Sequence, residues 1–97
     1  MSTYMIVSLD IDDPEVFKAY QRAVVRTFKV GEGRVLAATG DAERVEGEQP
    51  QSWNVIVEFP SKEHAHRWYA SPEYALAKPV RVASSSNPNI RLLDGLA

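Results

Sequence analysis

Cysteine is missing from this 97-residue sequence. That removes disulfides, thiolate nucleophiles, iron–sulfur clusters and cysteine-type zinc sites together, and it suits a reducing cytoplasm. Long apolar runs are missing too. None approaches the ~20 residues a membrane helix needs, and no basic segment followed by an apolar one opens the chain. The reading is a soluble, cytoplasmic protein with no membrane partner. Charge of one sign is not in excess either: eleven Lys and Arg stand against thirteen Asp and Glu, for a net charge of −2. The basic residues are scattered rather than clustered, so nucleic acid is not an expected partner.

Catalytic signatures are also scarce. There is no nucleophile elbow and no phosphate-binding loop. Gly31-x-Gly33 leads into a strand rather than a helix, which is wrong for a dinucleotide site. Asp10, Asp12 and Asp13 lack the glycine and the distal glutamate of a calcium loop, and the helix start at Pro14 already uses these acids. No metal and no cofactor are expected.

What is present is an ordinary globular composition, 44% hydrophobic and 25% charged. That suffices for one core and one domain over residues 1–97. A domain this small buries only about two thirds of the surface its unfolded chain exposes, so pairing with a second copy would help it.

Hydrophobic spacing orders the elements. Thr3 to Ile11 alternates with period two: Met5, Val7, Leu9 and Ile11 on one face, Tyr4, Ile6, Ser8 and Asp10 on the other. Asp12-Asp13-Pro14-Glu15 then starts a helix, with an Asp cap, Pro at the first position and acids at the positive end of the dipole. Phe17, Tyr20, Val24 and Phe28 form its apolar stripe, and Gly31 or Gly33 ends it. Arg34 to Thr39 reads as a strand, with Glu43 to Glu46 as its possible continuation beyond Gly40-Asp41.

Trp53 to Phe59 is the clearest strand, with Trp53, Val55, Val57 and Phe59 opposed to Asn54, Ile56 and Glu58. Pro60-Ser61 caps a second helix, and Ser71-Pro72-Glu73 starts a new helical segment at an angle. Pro79 should stop or kink that segment near Lys78. Residues 84–88 read as a loop, and Ile90 to Asp94 as the last strand.

The order is β-α-β-β-α-β, a ferredoxin-like α+β fold with a four-stranded antiparallel sheet and two helices on one face. Its other face would carry Tyr4, Ile6, Ser8, Asn54, Ile56 and Glu58, too apolar for water and too polar for a dry core. Two such faces stacked by a two-fold axis would resolve the conflict, so a homodimer is expected.

Tyr4 through Asp10, the Asp13-Pro14-Glu15 helix start, Gly33-Arg34, Glu46-Gly47, Glu58-Phe59-Pro60-Ser61 and the run Trp68-Tyr69-x-Ser71-Pro72-Glu73-Tyr74 resemble the domain of unknown function 1330 family, over nearly the whole chain. The resemblance implies a dimeric α+β barrel. Relatives in that superfamily include cofactor-free monooxygenases, lactone isomerases, haem-dependent enzymes and ligand-sensing domains. The family has no settled activity and so supplies no catalytic residues. The chain departs from the usual pattern at two places. The common Tyr-Arg pair of the first helix is Tyr20-Gln21 here, with Arg22 displaced by one, and the usual Gly-Gly before Arg34 is Glu32-Gly33.

Candidate site residues each have two readings. Trp68, Tyr69 and Tyr74 suit an aromatic wall for a small planar ligand, or simply core packing at a helix corner. Glu58 and Asn54 are polar residues on a strand built for burial. In a partly dry barrel Glu58 would have a raised pKa and serve as a general base; alternatively it pairs with Arg34 or Arg91, or faces solvent. His64 and His66 point about 200° apart on a helix and cannot share a metal. His64 shares a face with Trp68 and could reach a pocket, or both imidazoles are solvated. Tyr20 with Arg22 nearby would suit an acidic or enol-like ligand; the plainer reading is packing and solvation.

The functional expectation is a cofactor-independent enzyme, monooxygenase- or isomerase-like, acting on a small organic acid or phenolic compound. The alternative is a non-catalytic small-molecule-binding or structural homodimer.

Overall fold

The computed structural model describes residues 1–96. Four strands, β1 (Thr3–Ile11), β2 (Arg34–Thr39), β3 (Trp53–Phe59) and β4 (Ser85–Asp94), form one sheet in the order β2-β3-β1-β4. Every pairing is antiparallel. The helices are α1 (Pro14–Thr27), α2 (Lys62–Tyr69) and α3 (Pro72–Ser84), with a 3-10 turn over Phe28–Gly31. This is the ferredoxin-like arrangement, with the second helical region split in two.

Local chemistry sets the helix ends. Asp13 accepts from the Val16 N–H, Ser61 from the His64 N–H and Ser71 from the Tyr74 N–H, so each helix starts on a side-chain cap. The 3-10 turn closes at Glu32, whose φ of 58° is left-handed, the conformation glycine takes most easily.

The period-two pattern puts Met5, Leu9, Val57 and Phe59 under the helices, buried with Phe17, Val24, Trp68 and Tyr74. On the opposite face the register sets Tyr4 against Glu58, Ile6 against Ile56 and Ser8 against Asn54. β4 adds Leu93, Arg91 and Asn89 beside them. Leu36 and Leu93 on this side of the sheet are about half exposed, at 47% and 50%.

Three expectations are corrected. Pro79 does not end its helix: α3 runs on to Ser84 with the proline inside it. Pro79 is exposed, while Ala77, Arg81 and Ser84 hold the opposite stripe in the core. Apolar packing by Ala77 and the partly buried Val80 on either side of the proline, with the ring itself turned outward, offsets one lost hydrogen bond. The serine run is not a loop. Ser84 and Ser85 donate their hydroxyls to the Val80 and Arg81 carbonyls at 2.6 Å each, satisfying the open end of α3, and β4 starts directly at Ser85. Finally, Glu43 to Glu46 is not a strand; the chain from Gly40 to Ser52 is an irregular connection.

Each outer strand carries an irregularity. In β2, Leu36 is an extra residue between the pairs Val35–Val57 and Ala37–Ile56. In β4, Asn87 (φ 52°) and Pro88 together face Leu9. The β2 bulge keeps Val35 and Ala38 both on the helix side.

Candidate functional site

Between α1, α3 and the sheet lies a cavity of about 270 Å³. Met5, Val7, Leu9, Val55 and Ile90 form its floor; Val24, Phe28 and Trp68 line its helix side; Val25, Val35 and Ala38 stand at its more exposed side. The lining is apolar apart from a few groups, chiefly the phenols of Tyr20 and Tyr74, the Gln21 amide and the Arg81 guanidinium. A small apolar cavity with a few convergent polar groups is the usual form of a small-molecule site.

The polar groups are fixed from both helices. Tyr20 of α1 and Tyr74 of α3 bring their hydroxyls to 3.1 Å. Burial pushes the Tyr20 phenol well above its usual range, and the neighbouring Tyr74 adds to the effect. Trp68 donates its indole N–H to Thr27 at 2.8 Å, while Thr27 donates to the Val24 carbonyl at 2.7 Å. The Trp68 and Tyr74 rings lie 4.3 Å apart, tilted by 41°, so the indole and phenol brace one another. Tyr69 sits outside this group: Lys78 lies 4.9 Å over its ring, and hydrogen bonding to that ammonium lowers the phenol's pKa.

Arg81 is the unusual member. Its side chain comes from the last turn of α3, and the residue is only 6% exposed. Nη1 has no hydrogen-bond partner, and no carboxylate pairs with the guanidinium among the described residues. Placing a charge out of water costs several kcal/mol. The negative end of α3 returns at most ~2 kcal/mol of that. Sequence reading passed Arg81 over because it treated Pro79 as the end of the helix. The signal was its position four residues after Ala77 and seven after Tyr74, on one helical stripe.

The structure thus brings together three expected residues, Tyr20, Trp68 and Tyr74. It places four others elsewhere. Glu58 lies on the opposite sheet face, receiving Arg34 at 2.6 Å and the Tyr4 hydroxyl at 3.3 Å. Hydrogen bonds from Ser2 and Arg34 lower its pKa below the usual carboxylate value, the reverse of what a general base needs. Asn54, on that same face, donates to the Gln51 carbonyl. His64 turns its ring to Ser61 (2.7 Å) and Glu32 (3.2 Å), away from the cavity lining. Arg22 is exposed on the outer side of α1, beside Lys18 and Arg26. Among the described residues, no three His, Asp or Glu side chains gather as a metal site would require.

A family model described as Domain of unknown function (DUF1330) matches residues 2–96. The chain belongs to this family. Solved structures with the same fold include RPA0582, a protein of unknown function from Rhodopseudomonas palustris. It is 20% identical, with a TM-score of 0.81, covering 99% of this chain and 83% of that one. SnoaB, a cofactor-independent oxygenase from Streptomyces nogalater, is 15% identical with a TM-score of 0.73, covering 99% of this chain and 94% of that one. A dimeric ferredoxin-like protein of unknown function from Thermobifida fusca is 12% identical with a TM-score of 0.72, covering 96% and 90%. No curated protein matches the sequence. For this DUF1330 chain the structural likenesses give the fold, and the chemistry rests on its own residues.

Proposed function

We propose that this DUF1330 protein is a single-domain homodimer that binds a small, mostly apolar ring compound in the cavity between α1, α3 and the sheet. The observation that carries the reading is the Tyr20–Tyr74 phenol pair set against Trp68 in an otherwise apolar cavity of about 270 Å³. Tyr20, Trp68 and Tyr74 are its binding residues. The cavity volume is near the lower end of the ~300–1,000 Å³ typical of ligand sites, which favours a compact ligand. The test is ligand capture from a mixed library of small acids, phenols and lactones, read by native mass spectrometry. Compounds held by the wild type and released by the cavity-filling variant Val24→Phe support the reading. Capture by neither protein, or equally by both, overturns it. Glu58→Gln and His64→Gln are expected to leave capture unchanged.

The dimer is supported by the mixed open face of the sheet and by the dimeric ferredoxin-like neighbours. Size-exclusion chromatography with light scattering tests it; a stable monomer at micromolar concentration overturns it.

Catalysis is a second reading, favoured by the fold shared with the oxygenase SnoaB. With no carboxylate or imidazole in the lining, the acidity must come from the substrate. A substrate CH₂ flanked by activating groups would ionise and pass electrons to O₂. One oxygen atom would end as a carbonyl and the other as water. The buried phenols of Tyr20 and Tyr74 would hydrogen-bond the developing oxyanion.

A further inference from the structure

Arg81 adds a sign to the cavity. A guanidinium stays protonated inside proteins, so this side chain brings a fixed positive charge to an otherwise neutral, apolar lining. It is nine-tenths buried, and one of its terminal nitrogens, Nη1, finds no acceptor. Native proteins rarely leave such a group orphaned without a use for it. No carboxylate among the described residues neutralises it. The ionisable side chains beside it are the Tyr20 and Tyr74 phenols of the lining and, outside the lining, the Tyr69 phenol, whose pKa Lys78 and then Arg81 lower. The carbonyls of Val80 and Arg81 itself are taken by the hydroxyls of Ser84 and Ser85.

We infer that Arg81 is the anion anchor of the cavity, and that the ligand is a compact, mostly apolar ring compound bearing one carboxylate or one comparably acidic enol or phenol oxygen. This rests on the cavity-binding reading above and gives the ligand its charge. The guanidinium supplies the missing counter-charge, and the apolar floor and Trp68 take the ring. Of the hydrogen-bonded Tyr20–Tyr74 pair, the hydroxyl that accepts within the pair keeps its own proton to donate to the anion. A neutral ligand's oxygen could accept from Nη1 but would leave the buried charge uncompensated; an anionic one accepts the bond and supplies the counter-charge.

Three matched probes test this: 2-naphthoate, the neutral 2-naphthalenemethanol and the cationic 2-naphthylmethylammonium. Binding is followed at neutral pH by quenching of Trp68 and Trp53, both of which line the cavity. The expected result is that the acid binds at least about tenfold more tightly than the alcohol, and the cation not measurably. Arg81→Met should erase the preference for acid over alcohol, and Arg81→Lys should keep part of it. Arg26→Ala, on the outer surface, should change nothing. If acid and alcohol bind the wild type equally, the anchor is overturned while the cavity reading stands. If none of the probes binds, both fall. Should Arg81→Met fail to fold, the wild-type ratio and Arg81→Lys still decide. A melting temperature of Arg81→Met at or above that of the wild type is also expected, since the orphaned charge is gone.

Discussion

Tyr20 and Tyr74, 54 residues apart in sequence, join α1 to α3 through their hydroxyls at 3.1 Å. A phenol held this way resists ionisation, because the phenolate would be both desolvated and next to a second phenol. Tyr20 therefore has a folded-state pKa above its unfolded value of about 10. The stability it contributes is fully present below pH ~10 and is lost as the pH rises beyond that. In an alkaline titration followed at the phenolate absorbance band, Tyr69, whose pKa Lys78 lowers, should ionise first. Tyr20 should ionise only together with loss of tertiary signal. Tyr20→Phe should remove that late component; a Tyr20 that titrates in the folded protein would contradict the geometry.

Thr27 holds the Trp68 indole N–H in the core. Replacing it by Val keeps the shape and strands a buried donor. Thr27→Val is expected to cost about 1–3 kcal/mol in urea denaturation, against less than half of that for an exposed Thr39→Val.

Gly31 is required by space rather than by backbone angle. A Cβ there would meet the His64 carbonyl oxygen and come within 3.0 Å of the Trp68 Cβ. Two of the three nearest atoms are backbone or Cβ and cannot swing aside. Gly31→Ala should destabilise the fold by about 1–3 kcal/mol, seen as a lower melting temperature with the cavity wall disturbed through Trp68.

Ile56 sits directly across from Ile6 at the middle of the open sheet face. In the proposed dimer a carboxylate there would be buried without a partner, at a cost of about 3–5 kcal/mol. Ile56→Glu should therefore yield monomers by light scattering at concentrations where the wild type is paired, with secondary structure unchanged. A variant that remains dimeric would place the interface elsewhere.

The strands and the helix starts were readable because their signals are local. Alternation in Thr3–Ile11 and Trp53–Phe59 sorts the two sheet faces residue by residue, and the register Tyr4–Glu58, Ile6–Ile56, Ser8–Asn54 follows that sorting. What could not be read depends on tertiary packing. Pro79 carries a strong local stop signal, yet α3 runs past it, with Ala77 and Val80 packed on the core and the Ser84 and Ser85 hydroxyls closing its end. That error hid Arg81, the most telling polar group of the cavity. Glu58 shows the converse: its strand position was clear and Arg34 was one of two arginines expected to pair with it, but the choice of Arg34 over Arg91, and Tyr4 beside it, came from the structure. Tyr20, Trp68 and Tyr74 were visible as candidates because their stripes were; their meeting point was not, since it needs two helices brought together by the fold.

The irregularities in β2 and β4 bear on how the molecule meets others of its kind. A sheet of four strands has two unpaired rims, and a straight rim invites another chain to add its own strand without limit. Here one rim carries the extra residue Leu36, and the other carries Asn87 in a left-handed turn followed by Pro88, which has no N–H to offer. Both rims are therefore poor templates for growth. In the proposed dimer, association is left to the open sheet face, which a two-fold axis can close, while fibrous stacking along the rims is discouraged.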